Sequence, residues 1–278
     1  MQSLTIKTSN QNPNRPSEYI FNLPQSALLD NHSLSLVSVN FYNSLYNIEK
    51  TYRNNQKISI IWNANTSVQY DFEYNDAYYT VSDLNYAFQN FCLLNKLYMV
   101  GATSNVMYAE IITDPNRYKC MIIVNPLPTS ALATAAGLTV PVGATWTLPT
   151  SEKCPQVIID EPFGKLIGFN ANTLPSTINN IKTTILGDKT PIISPVSSLT
   201  LTCSLIDSPY DNPSNTLKNI PIVVAYGDQQ VHNNTTDIWY SIPRQTYTRV
   251  VIEFLDSENN PARLKDSEIS VQLAIRNN

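Results

Sequence analysis

Glycine, histidine and charge are all scarce in this chain of 278 residues, and each shortage removes a class of function. Seven glycines leave little from which to build a phosphate cradle, and no glycine-rich loop, GxSxG or HExxH pattern occurs. The two histidines are His32 in LLDNHSLS and His232 in DQQVHNNTT. Both lie in polar, turn-like stretches without a nucleophile or carboxylate at a recurring catalytic spacing, so both read as solvated rather than as acid–base groups. No apolar run approaches the eighteen or so residues of a membrane span, and MQSLTIKTSN has no basic stretch leading into an apolar one. The expectation is a soluble chain made without a secretory signal, with no catalytic, cofactor or metal residues to name.

Only 14% of residues are charged, against about 25% in an average soluble protein. Asn, Ser, Thr, Tyr and Pro carry the polarity instead. Two explanations fit: a surface covered by partners, since interface cores lose Lys and Glu and gain Tyr, or codon bias in an AT-rich genome. The net charge of −4 and scattered basic residues argue against holding nucleic acid, which needs a basic face. Cys92, Cys120, Cys154 and Cys203 show no CxxC or metal spacing, and three lie in apolar runs, so they are expected buried and reduced. Sequons at Asn31, Asn65, Asn233 and Asn234 are what chance supplies in so Asn-rich a chain.

One stretch has convincing helical periodicity. Within NDAYYTVSDLNYAFQNFCLLNKLYM, residues Leu84, Ala87, Phe88, Phe91 and Cys92 fall on one face, with Thr80 or Ser82 as N-cap, Asp83 in the first turn and Asn95–Lys96 as the stop. The rest reads as roughly a dozen strands with turn signals between them. LTIKTS and EYIFNLP are two short pieces separated by Pro13 and Pro16, the first of them a tied-down arm. Leu34 and Leu36 share one face and Val37, Val39 and Phe41 the other, the pattern a bulge leaves. KISIIWN pairs with SVQYDFE, and NVMYAEIIT with RYKCMIIV across DPNR; the second hairpin, apolar on both faces, is expected to be central. The proline-rich, charge-poor segment from 125 to 156 reads as a long excursion, and EPFGKLIGF as a turn of helix opened by Pro162 and ended by Gly168. Ser198 to Leu205 alternates strictly, as a half-buried strand does, and PIVVAYG, DIWYSIP, TYTRVVIEFLD and SEISVQLAIRN complete the set. The fold class is therefore all-β: two packed antiparallel sheets in a sandwich, with one amphipathic helical connection laid against a sheet.

Three groups of side chains invite a chemical reading. Asp71, Glu73 and Asp76 are close enough in sequence for a calcium ion, although charged residues at a hairpin base are the commoner case. Asp256, Glu258 and Asp266, balanced by Arg263 and Lys265, look like a solvated turn. Tyr78, Tyr79, Trp239 and Tyr240 could stack on sugars, as could the loops GDQQVHNNTTD and Asn63 to Asn65 flank one, but the core or a subunit interface suits the aromatics better.

The succession YNSLYNI, YYTVSDLNYAFQN, FGKLIGF with NTLPS, and TYTRVVIEFLDSENNPARLKDSEISVQLAIRN resembles penton-type minor capsid proteins of virophages and of polinton-like and adintovirus-like elements. The resemblance spans most of the chain and rests on packing and turn patterns. It implies a single jelly-roll domain over 1–278; the insertion or long excursion within 125–197 comes from the residues themselves, and Leu127 to Pro149 has no counterpart in the family. It also implies a homopentamer at an icosahedral capsid vertex, a double jelly-roll major capsid protein as neighbour, and localisation in the virion after synthesis in the host cytoplasm. A β-sandwich that binds a host receptor or glycan is the alternative.

Overall fold

The computed structural model describes residues 2–194, 196–235, 238–265 and 268–278. The chain divides into two compact units, one formed by 1–45 with 196–278 and the other by 46–195.

The first unit is built on eight strands: β1 (Gln2–Lys7), β2 (Arg15–Leu29), β3 (His32–Tyr42), β4 (Ser198–Cys203), β5 (Thr216–Pro221), β6 (Gln229–Asn233), β7 (Gln245–Leu255) and β8 (Ser270–Asn277). One sheet runs β1-β8-β3-β6 and the other β5-β4-β7-β2, every pairing antiparallel. Short pieces at Gln11–Asn12 and Tyr240–Ser241 pair with β2 and β3. The partners nest: β1 with β8, β2 with β7, β3 with β6, β4 with β5. That is one long hairpin rolled so that alternate rungs fall in two sheets, which is a jelly roll. The expected all-β sandwich is therefore present, and its inner faces meet in one core. Leu34, Leu36, Val39, Phe41, Val271 and Leu273 line it from one sheet, and Tyr19, Leu199, Leu201, Cys203, Val250, Ile252 and Phe254 from the other. Phe254 stands edge-on to Phe41 at 6.0 Å and to Tyr19 at 5.8 Å.

Local sequence explains the strand details. The register of β3 against β8 slips between Gln272 and Leu273, which pair with Ser38 and Leu36, so Val37 is the extra residue. The expected bulge is present, but Val37 does not share a face with Val39 and Phe41: it points outward at 36% exposure while Leu36 and Val39 on either side are buried. The expected N-terminal arm is tied down as a strand, all six residues of β1 pairing with β8. β2 runs well beyond the EYIFNLP piece; Pro24 is accommodated because the ladder to β7 is interrupted between Asn22 and Ala27, where no donor is needed. β4 departs from the half-buried expectation. Its Thr200 and Thr202 are also covered, and Thr202 Oγ1 donates to Glu253 O at 3.3 Å. PIVVAYG and DIWYSIP contribute much less strand than their apolar residues suggest, with Val223 left 75% exposed beyond the end of β5.

The second unit, 46–195, enters the chain between β3 and β4. The insertion thus begins far earlier than the 125–197 expected, and the proposed single domain carries two hydrophobic cores rather than one. One sheet here has the order Asn172–Leu174, Gln156–Ile159, Lys57–Asn63, Ser67–Glu73, and another Thr183–Leu186, Lys119–Val124, Ala109–Asp114, beside a small ladder of Met99–Val100 with Asn105–Val106. Of the hairpin expected to be central, Lys119–Val124 is the middle strand and Ala109–Asp114 an edge. Helix α1 (Val81–Leu94) begins at Thr80, whose hydroxyl accepts from Asp83 N while the Asp83 carboxylate accepts from Thr80 N, and ends at Asn95, before Lys96 at φ +60°. Leu84, Phe88 and Cys92 are buried as the spacing requires, and Asn85 Oδ1 accepts from Ile111 N at 2.8 Å, satisfying a backbone donor on the edge strand. The 125–156 stretch is packed, too, carrying α2 (Ser130–Ala135), with Leu127 and Trp146 buried. α3 (Glu161–Ile167) is capped by Asp160, has Pro162 in its first turn and stops at Gly168, φ +80°.

Candidate functional site

The carboxylates grouped at Asp71, Glu73 and Asp76 are each engaged by protein donors. Asp71 Oδ1 accepts from Gln69 Nε2 and Ser59 Oγ, both at 2.7 Å, and these bonds lower its pKa below the ordinary carboxylate value. Glu73 lies between Lys50 Nζ at 2.9 Å and Lys57 Nζ at 3.6 Å, with its pKa lowered chiefly by the Lys50 hydrogen bond. Asp76 Oδ1 accepts from Lys50 N at 2.8 Å. Two lysines and a set of neutral donors thus engage one oxygen each of Asp71 and Asp76 and both oxygens of Glu73. Among the described residues no three His, Cys, Asp or Glu side chains gather in a metal-holding arrangement.

The turn after Asp256 is exposed from Ser257 to Asn260, as its charges suggest, but it hangs on a covered carboxylate. Asp256 is buried, and its Oδ1 accepts from Glu258 N at 2.8 Å and Asn260 N at 2.9 Å, so the carboxylate organises the loop between β7 and β8 from inside. Asp266 lies outside the described residues.

His32 Nδ1 lies 2.7 Å from Asp30 O at the start of β3. His232 is not in a loop but in β6, opposite Val39, where its Nε2 is buried without a partner; burial, followed by the charge of Lys218, lowers its pKa. The cysteines are free and buried as expected. Desolvation raises the thiol pKa to about 12 at Cys92 and Cys203, and to about 11 at Cys120 and Cys154.

The aromatic candidates are occupied as well. The guanidinium carbon of Arg276 sits 3.9 Å from the centre of the Trp239 ring, covering one of its faces. Tyr240 packs against the sandwich core and donates its hydroxyl to Leu217 O at 3.0 Å. Tyr79 packs edge-on to Tyr74 at 5.5 Å, within a ring cluster that continues to Phe72, Phe91 and Phe163, and Tyr78 is half-buried. The two Asn-rich stretches are also structural. Residues 229–233 of GDQQVHNNTTD form β6, while Thr236 and Asp237 lie outside the described residues. Asn63 donates to Cys154 O at 2.8 Å, and Asn65 exchanges bonds with Thr147. No described helix is long and apolar enough to cross a membrane.

No protein-family model and no curated protein matches the chain. Among solved structures it is similar to the selenomethionine-labelled mavirus penton protein, at 13% identity and a TM-score of 0.42, with 99% of this chain and 97% of that one covered.

Proposed function

We propose that this chain is a structural virion protein, five copies of which close around a fivefold axis as the penton of an icosahedral capsid and pack against a double jelly-roll major capsid protein. The observation that carries the reading is the nested pairing of β1 to β8, an architecture that serves in capsid, lectin and cupin domains. A fold alone does not assign a function, so the side chains must choose among the three. A cupin role asks for a ligand cluster, and the carboxylates and histidines described above lie apart or are engaged by protein donors. A lectin role asks for an open aromatic face, and Arg276 lies over that of Trp239. The capsid role asks for neither. It asks for edges and loops that meet copies of the same chain, and it fits a surface with so few charges. Closing a ring requires two different patches on each subunit to meet head to tail. The insertion 46–195, joined to the sandwich between two strands, supports a secondary role in meeting a host receptor.

Native mass spectrometry of the purified chain, alone and mixed with the major capsid protein, tests the assignment. A species of five 31.2 kDa subunits, seen as fivefold rings by electron microscopy, is the expected result. Monomers under both conditions would overturn it.

A further inference from the structure

Asn47 is fully buried, one residue inside the start of the insertion. Its carboxamide makes three hydrogen bonds to backbone: Nδ2 donates to Tyr79 O at 2.7 Å and to Ile193 O at 2.9 Å, and Oδ1 accepts from Tyr79 N at 2.8 Å. One side chain thus ties the first residues of 46–195 to its last and to the segment leading into α1. Neighbouring bonds repeat the pattern. Asn55 donates to Asn47 O at 2.7 Å and accepts from Glu49 N at 3.1 Å, and Ile48 and Ala77 exchange backbone bonds at 3.1 and 3.2 Å. On the exit side Ile192 N donates to Leu166 O at 2.9 Å, and Ile193 packs against the insertion's own core. Every partner in this set belongs to 46–195. Sheets and hydrophobic core are likewise complete within those limits.

We propose that Asn47 is a latch that closes the insertion on itself, so that 46–195 opens and unfolds as one cooperative unit while the jelly roll stays folded. Without it, bringing the two ends of so long a segment together would fall to the rest of the molecule, at a loop-closure cost that grows with the logarithm of length. With it, the inserted module can loosen without dismantling the sandwich. The inference does not depend on the vertex assignment and stands whether or not the chain forms rings.

Calorimetry and hydrogen–deuterium exchange on the full chain test it. The wild type should show two transitions, with amides of 46–195 exchanging as one block distinct from β1–β8. Asn47→Ala should lower only the transition of that block, by roughly 5–10 °C for the loss of three buried bonds. Phe254→Ala should shift only the other. A single merged transition, or equal shifts of both in Asn47→Ala, would overturn the proposal. If Asn47→Ala does not fold, block exchange in the wild type supports the latch, and exchange spread continuously across both units refutes it.

Discussion

At the residue scale, the charged and polar groups that look available for chemistry are spent on holding turns. Asp256 shows this best: removing its carboxylate leaves two loop N–H groups without acceptors, so Asp256→Ala should destabilise the sandwich by about 1–3 kcal/mol in urea titrations. The cysteines make a second prediction. A thiol whose pKa is near 12 when folded and about 9 when unfolded keeps its proton in the native state while the unfolded chain loses it, as at Cys92 and Cys203. Because the unfolded state then binds fewer protons, stability is intact below pH 9 and declines as pH rises from 9 towards 12. Ellman's reagent should accordingly find no reactive thiol in the native protein at pH 8 and all four after denaturation. His232 acts at the other end of the scale. Its depressed pKa means the unfolded state takes up the proton first, so stability is lost as pH falls below about 6.5, and His232→Gln should flatten that acid limb.

At the element scale, signals confined to a few neighbouring residues were readable and those that depend on distant partners were not. The α1 cap, the Gly168 stop and the Val37 bulge are each written in three to five consecutive side chains. Thr80→Ala should therefore cost about 1 kcal/mol. Deleting Val37 should leave the inward set in place. Deletion removes the extra residue and puts Leu34, Leu36, Val39 and Phe41 in strict alternation on the core face, and Val37→Lys, on an outward position, should stay within about 0.5 kcal/mol of wild type. Soluble expression and chemical denaturation of the two variants check both outcomes. The half-buried reading of β4 failed for the complementary reason. Alternation reports which face is apolar, and an interior strand between β5 and β7 can have its hydroxyl face covered as well. The carboxylates were a similar case, since proximity in sequence could not reveal that Lys50 and Lys57 converge on Glu73.

For the whole molecule, the class of fold was legible and the division of the chain was not. Two packed antiparallel sheets follow from alternating strands, wherever the strands lie. The boundary at 45 and 46 has no such signature, because the alternation, the Asn and Tyr content and the scarcity of charge continue across it unchanged. The change of composition near 125 marks only a strand-poor part of a module already under way.

The pairing of Gln2 with Ile275 also sets an order of events during synthesis. A ribosome working at about 5–20 residues per second completes the module ending at 195 while β4 to β8 are still unmade. β1 must wait for a partner almost a chain length away, so its sheet cannot close before β8 has been made.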